Sequence, residues 1–178
     1  GWLPMKIPPA ILVIDVESIG LHGEGYALGA VLLINGTEIS SFRYACDPCE
    51  AVGNFGNRKW CRENILEIPV THTSPHDVRE AFWTQWERIK KEHPGALMFA
   101  ECAWPVEANF LEACVEYRQG SREFQGPYPL HEISSFMVAA GMDPMASYPY
   151  AEGEAKHDPL SDARQSSRLL LQAMSLLP

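Results

Sequence analysis

Apolar residues near the start of the chain form short runs that predict β-strands. Residues 10–16 read Ala-Ile-Leu-Val-Ile-Asp-Val, and residues 26–33 are almost entirely apolar. Short runs rich in β-branched residues are typical of buried strands. Asn35-Gly36 is a favoured hairpin turn, and residues 38–45 alternate well enough for a third strand. The first quarter of the chain is therefore predicted to be an antiparallel meander of three strands.

Further along, the apolar spacing changes to that of helices. Ser74-Pro75 begins a predicted helix with an N-cap and a proline in the first turn, and His93-Pro94-Gly95 ends it. Residues 46–70 are irregular, with one helical turn near 58–64. The remaining elements are strands at 96–100 and 128–133, helices at 105–118 (ended by Gly120) and 134–140, a loop at 144–156, and a last helix that Asp158-Pro159 opens. This order predicts an α/β fold with a mixed sheet flanked by helices.

Length and composition fit one globular domain. The chain has 178 residues, of which 46% are hydrophobic and 21% are charged. Residues 5–178 are assigned to this domain, and residues 1–4 are interpreted as a cloning remnant before Met5. No apolar run reaches the roughly 18 residues that span a bilayer. Because the start also lacks the features of a signal peptide, we expect a cytoplasmic protein without membrane association.

The net charge is −9. Such a charge argues against a protein that coats long duplex DNA by neutralising phosphates. It is compatible with an enzyme that grips only the end of a strand, because bound metal ions supply positive charge that the side chains lack.

Five cysteines leave a second kind of site to consider. Cys46, Cys49 and Cys61, with His72, are spaced in a way that could form a zinc knuckle. However, no second Cys-x-x-Cys pair follows, and an odd number of cysteines fits a reducing compartment. Buried or surface thiols are the simpler interpretation.

Three acidic clusters lie where apolar segments meet loops or helices. Asp15 and Glu17 are two apart on the first strand, so they point to the same face at its carboxyl end. Glu107 falls in the first turn of a helix, and Asp162 falls near the start of the last helix. His157 precedes that helix in a loop that we expect to be mobile. Taken singly, Asp-x-Glu is a common sequence, Glu107 is a favourable charge at a helix N-terminus, and His157 with Asp158 is a loop and a cap. Together they are the oxygen ligands and the proton acceptor of a two-metal phosphoryl-transfer site.

These clusters also resemble the motifs of a known family. Residues 14–21, Ile-Asp-Val-Glu-Ser-Ile-Gly-Leu, resemble the first motif of the DEDD 3′–5′ exonucleases. Residues 157–163, His-Asp-Pro-Leu-Ser-Asp-Ala, resemble the third motif of the DEDDh subgroup. The resemblance spans residues 10–175 and implies a ribonuclease H-like fold. The short form is similar to oligoribonuclease, ribonuclease T and small exoribonucleases that also occur in phages and prophages.

The second motif departs from the family. The acid that precedes Asn109-Phe110-Leu111 is Glu107, where the family has an aspartate. A glutamate is one methylene longer, so it can still bind a metal ion from a shifted backbone. Glu101, at the end of the fourth strand, is the competing candidate. We favour Glu107 because Phe-Leu follows it at the family spacing.

The resemblance implies a function and a set of roles. Asp15, Glu17, Glu107 and Asp162 would hold two Mg²⁺ or Mn²⁺ ions, and His157 would be the general base. The terminal nucleotide would lie against Ser18, Ile19, Gly20 and Leu21. The implied activity is 3′–5′ exonuclease cleavage of single-stranded nucleic acid, with RNA slightly favoured and nucleoside 5′-monophosphates released.

Several alternatives stay open from the sequence. Trp60, Trp104 and Phe55 are candidates for stacking on bases, although local packing is the simpler interpretation. A homodimer is compatible with the short form. A catalytically weak protein that binds nucleic-acid ends on the same fold is the alternative function, and the glutamate at position 107 keeps it open.

Overall fold

The computed structural model describes residues 7–178, so the suggested remnant at residues 1–4 and the domain boundary at residue 5 lie outside it. Five strands and six helices make up the described chain, together with a short 3-10 turn at Pro48–Glu50. The strands are β1 Ala10–Ser18, β2 Gly25–Ile34, β3 Thr37–Ala45, β4 Leu97–Ala100 and β5 His131–Glu132. The helices are α1 Phe55–Asn64, α2 Pro75–Glu92, α3 Val106–Tyr117, α4 Gln119–Arg122, α5 Ile133–Ala139 and α6 Pro159–Leu176.

All five strands form one mixed sheet with the order β3-β2-β1-β4-β5. The pairs β3–β2 and β2–β1 are antiparallel, which confirms the predicted meander. Strand β4 pairs parallel to both β1 and β5. The α/β class and the mixed sheet flanked by helices are therefore confirmed.

Alternate residues of β1 supply two separate cores. Leu12, Ile14 and Val16 face a core that contains α2 and α3, whereas Ile11 and Val13 face a core that contains α5 and α6. Asp15 and Glu17 continue the row of Ile11 and Val13 along β1, so they face the α6 side of the sheet. The two acids therefore extend a buried apolar row to the end of the strand.

Three elements differ from the sequence prediction. Helix α1 has ten residues where one turn was expected. Asn54 caps its start, and its polar composition explains why the apolar pattern did not reveal its full length. Strand β5 is two residues long where six were expected. Gly120 lies inside the short helix α4 and does not end α3, which stops at Tyr117. Between residues 7 and 178, no helix has the length and apolar character needed to cross a membrane.

Candidate metal centre

A glycine in β2 lets the last helix begin directly against the sheet. Gly29 pairs with Asp15 across the β1–β2 ladder. A Cβ atom at Gly29 would lie 2.3 Å from the backbone nitrogen of Leu160 and from the carbonyl carbon of Pro159. Only a residue without a side chain permits this approach, which brings the first turn of α6 over the end of β1.

The start of α6 is fixed by its cap. The Asp158 side chain accepts hydrogen bonds from the backbone N–H and the hydroxyl of Ser161, both at 2.9 Å. Its other carboxylate oxygen lies 2.6 Å from Nη1 of Arg43, which pairs with Gly29 in the β2–β3 ladder. Sheet and helix are therefore joined beside the predicted site, and Asp162 follows one turn later.

The fold brings the predicted acids together. Ligand atoms of Glu17, His157 and Asp162 all lie within 4.8 Å of one another. Asp15 and Glu107 complete the cluster: Glu107 is only 4% exposed, and both residues interact electrostatically with Glu17. Oδ2 of Asp15 and Oε2 of Glu107 are buried without a hydrogen-bond partner.

Burial and mutual repulsion make these carboxylates reluctant to ionise. Burial, followed by the charge of Asp162, raises the pKa of Glu17 from its ordinary value of 4.5 to about 9. Burial and the charge of Glu17 likewise raise the pKa of Asp15 and of Glu107 well above their usual range. The pKa of Asp162 is also raised by burial, although its bond with Tyr150 and the charge of His157 oppose the shift.

These features fit a divalent cation. Buried carboxylate oxygens without partners are costly unless a positive charge or protons satisfy them. Oxygen-rich sites with several carboxylates are those that Mg²⁺ and Mn²⁺ prefer. The residues that could hold such ions are Asp15, Glu17, Glu107 and Asp162, and His157 lies near enough to be a further ligand.

The two candidates for the second motif lie in different surroundings. Glu107 is the second residue of α3 and is buried with one oxygen unsatisfied. Glu101 follows β4 and is half-buried, and its Oε2 accepts a hydrogen bond of 2.8 Å from the hydroxyl of Ser166 on α6. An oxygen without a partner is better suited to receive a metal ion, so the geometry favours Glu107.

Several hydrogen bonds anchor the segment that contains His157. Arg168 of α6 bonds both carboxylate oxygens of Glu154, at 2.6 and 3.0 Å, and the backbone N–H of Ala155 donates to the Ser161 hydroxyl. His157 itself has a φ of +66°, a left-handed conformation that histidine tolerates better than most residues. The backbone conformation and these anchors hold the imidazole beside Glu17 and Asp162.

A cleft of about 400 Å³ opens beside the acids. Ser18, Gly20 and Leu21 line it, and Leu21 is 66% exposed. Ile19 is an exception among the four predicted substrate contacts. Its side chain is fully buried, and its backbone N–H donates to the carbonyl of Glu24. The Ile19 side chain therefore does not line the cleft.

Helix α1 forms the opposite wall of this cleft. Trp60 lines it and lies edge-on to the His157 ring, with centroids 5.6 Å apart. Asn57 lies on the same wall, where its side-chain amide packs against Gly20. Trp104 contacts His22 instead, and neither it nor Phe55 lines the cleft. Of the three aromatic candidates, only Trp60 is placed to meet a base there.

The zinc interpretation is wrong for the described residues. Cys46, Cys49, Cys61 and His72 do not form a group with metal-binding distances anywhere in residues 7–178. The Cys61 thiol donates to the Ser18 carbonyl, Cys49 contacts Arg62, and Cys46 is buried. They are free thiols, as the simpler interpretation held.

Known structures share this fold. No protein-family model and no curated protein matches the sequence. Among solved structures, the zinc-bound E. coli exonuclease I complex with single-stranded DNA has a TM-score of 0.57 at 11% identity, covering 93% of this chain. Cell-death related nuclease 4 (CRN-4) has a TM-score of 0.54 at 12% identity, covering 94%. A full-length 3′-exonuclease has a TM-score of 0.52 at 13% identity, covering 96%.

The chain shares the fold of these nucleases. The resemblance inferred from the three motifs is thus confirmed at the level of the fold. The chain spans 40% of the length of that exonuclease I, 64% of CRN-4 and 83% of the 3′-exonuclease.

Sequence reasoning missed several residues that build the site. Gly29 could have been noticed, because a glycine inside an apolar strand often marks a close backbone approach. Tyr150, whose hydroxyl donates a hydrogen bond of 2.6 Å to Oδ1 of Asp162, lies in a loop rich in tyrosine and proline and carries no motif. Asn57 carries none either, because its position depends on a helix that the pattern did not reveal.

Proposed function

We propose that this chain is a metal-dependent 3′–5′ exonuclease. It removes nucleoside 5′-monophosphates from the 3′ end of single-stranded nucleic acid, with RNA favoured over DNA. The observation that carries the proposal is the cluster of Asp15, Glu17, Glu107 and Asp162, with His157 at its edge and an open cleft beside it. Glu107 is buried, and the other three acids are partly buried. A fold gathers so many mutually repelling carboxylates only at a cost, and cation binding offsets that cost.

In this proposal, Asp15, Glu17, Glu107 and Asp162 hold two Mg²⁺ or Mn²⁺ ions. Such ions stabilise developing negative charge and make a water molecule more acidic. His157 accepts a proton from the attacking water through the ring nitrogen that faces Glu17 and Asp162. Trp60 keeps the imidazole oriented by its edge-on contact.

The cleft between the first motif and α1 takes the terminal nucleotide. Trp60 and Leu21 offer apolar surface to the base, and this kind of contact tolerates any sequence. Ser18, Gly20 and Asn57 offer polar groups to the sugar and phosphate. The names of the structural neighbours, among them a complex with single-stranded DNA and a 3′-exonuclease, support the direction and the strand type.

Labelled oligonucleotides provide the direct test. The chain would be incubated with 5′-labelled and 3′-labelled RNA and DNA of identical sequence, in Mg²⁺, Mn²⁺ or EDTA. We expect 5′-labelled RNA to shorten stepwise, and the 3′ label to leave first as a mononucleotide, only when metal is present. Loss from the 5′ end, or internal cuts, would contradict the proposed polarity.

The same experiment addresses the alternative function. A catalytically weak end-binding protein would retain single-stranded oligonucleotides in a binding assay and leave their length unchanged in either metal. The replacement of an aspartate by Glu107 is the feature that favours this alternative. The unsatisfied, buried oxygen of Glu107 argues against it, because the longer side chain still presents a free ligand atom to the cluster.

A further inference from the structure

Tyr150 makes the shortest contact that any neutral side chain makes with the acidic cluster in the described residues. Its hydroxyl donates to Oδ1 of Asp162 at 2.6 Å, which is typical of a strong bond from a hydroxyl to a carboxylate. The tyrosine is half-buried at the edge of the site, twelve residues before Asp162. A carboxylate has about four lone-pair positions, so one bond fixes its rotation and leaves other positions free for a cation.

The backbone around Tyr150 is held by other contacts. The side-chain amide of Gln165 donates to the carbonyls of Tyr148 and Pro149, at 2.7 and 3.2 Å. On the other side, the N–H of Ala151 donates to the Glu154 carboxylate, which Arg168 also bonds. Because the segment has these anchors, the Tyr150 hydroxyl is not needed to keep the loop in place.

We infer that Tyr150 is a positioning residue for the metal centre. Its hydroxyl orients the Asp162 carboxylate so that the carboxylate presents a fixed oxygen to the cation. This inference rests on the metal-dependent function proposed above. Partners that orient metal-binding side chains in this way typically change metal affinity or activity by about 10- to 100-fold when they are removed.

The chain offers a matched control in Tyr148. Its hydroxyl donates to the backbone carbonyl of Asp143 at 2.7 Å, away from the acids. Tyr150→Phe and Tyr148→Phe therefore each remove one phenolic hydrogen bond, but only the first bond ends on a proposed metal ligand. Wild type and both variants would be titrated with Mn²⁺ by calorimetry at one pH, and their thermal stability would be measured in EDTA.

We expect Tyr150→Phe to bind Mn²⁺ about 10- to 100-fold more weakly. Tyr148→Phe should bind as the wild type does. In an oligonucleotide assay, the Mn²⁺ concentration that gives half the maximal rate should rise by the same factor in Tyr150→Phe. Saturating Mn²⁺ should then restore most of the rate, because the acids and His157 are unchanged.

The outcomes separate this inference from the proposed function. Unchanged Mn²⁺ affinity in Tyr150→Phe, with or without a lower melting temperature in EDTA, would show that the hydroxyl is at most a structural brace and would overturn the inference. If the wild type also cleaves oligonucleotides, the proposed function stands despite that result. Suppose that Tyr150→Phe binds Mn²⁺ more weakly than the wild type, but the wild type cleaves no oligonucleotide. That result would support the role of Tyr150 and contradict the proposed nuclease activity. A wild type that binds no Mn²⁺ would overturn both.

Discussion

Asp15 experiences the charge of all the other carboxylates around it. Glu17, Glu107 and Asp162 each raise its pKa, in addition to the effect of burial. Asp15→Asn keeps the size of the side chain but removes a charged ligand. We expect hydrolysis to fall to background and the melting temperature in EDTA to hold or rise, because one source of repulsion is removed. Thermal unfolding followed by circular dichroism and an assay of the hydrolysis rate test this. A fully active variant would show that Asp15 is not part of the site.

Glu107 and Glu101 form a natural pair for comparison. Glu107→Gln should lower the rate by orders of magnitude, because it alters a buried oxygen that has no other partner. Glu101→Gln should matter much less, because its oxygen already accepts the Ser166 hydroxyl. Steady-state kinetics at saturating metal measure both. The reverse ranking would show that the second motif has been assigned to the wrong acid.

His157 requires a variant that respects its backbone. Its φ of +66° favours His157→Asn over His157→Ala, since asparagine also tolerates the left-handed region. General base catalysis contributes about 10²–10⁴-fold, so we expect a rate loss in that range. Calorimetry with Mn²⁺ distinguishes the roles: retained affinity supports a base, whereas lost affinity would make His157 a ligand.

At the scale of elements, Gly29 decides whether α6 reaches the sheet. Gly29→Ala places a Cβ atom 2.3 Å from the α6 backbone, so the helix start must move. Overpacking of this kind typically costs about 1–3 kcal/mol of the free energy of unfolding. Because Asp162 and His157 move with the helix, we also expect a large loss of hydrolysis.

Gly95→Ala is the matched control for that experiment. Gly95 is exposed in the turn before β4, and a Cβ atom there meets nothing within 4 Å. Denaturant unfolding should show little change for this variant. If Gly29→Ala were equally harmless, the close approach of α6 would not be what assembles the site.

Strands and helices with a clear local sequence pattern could be predicted, and those with a weak pattern could not. The meander was predictable because β1, β2 and the Asn35-Gly36 turn carry the period and turn chemistry of a hairpin. Helix α1 was not, because Cys61 is its only buried residue and its apolar stripe is too thin to detect. Strand β5 is held by parallel pairing with β4, and such a pairing leaves little trace in two residues.

The acids of the site could be predicted, but their supports could not. Asp15, Glu17 and Asp162 belong to motifs whose order in the chain is itself the signal. Tyr150 and Asn57 act through distances set by tertiary packing, so no local pattern marks them. The family resemblance places Ile19 in the segment that contacts the nucleotide, but its side chain belongs to the core, so any contact from this residue would come from its main chain.

At the scale of the whole molecule, the chain has a net charge of −9 and gathers four acids, one buried and three partly buried, at one point. Burial and mutual repulsion raise the pKa of Asp15, Glu17 and Glu107, so without metal the native state binds protons at this cluster more tightly than the unfolded chain does. Stability therefore depends on whether protons or cations neutralise this cluster.

The last prediction concerns this linkage between pH and metal. The pKa of Glu17 is 4.5 when unperturbed and about 9 in the fold, so the native state binds more protons than the unfolded state between these values. The free energy of unfolding in EDTA should consequently fall as pH rises through this window.

Mn²⁺ should raise the melting temperature more at pH 8 than at pH 5, because cations bind the ionised carboxylates. Glu17→Gln should flatten the EDTA profile and weaken the Mn²⁺ effect. Calorimetric scans across this pH range measure both, and a stability that rises with pH in EDTA would mean that the cluster is already neutralised within the protein and needs no cation.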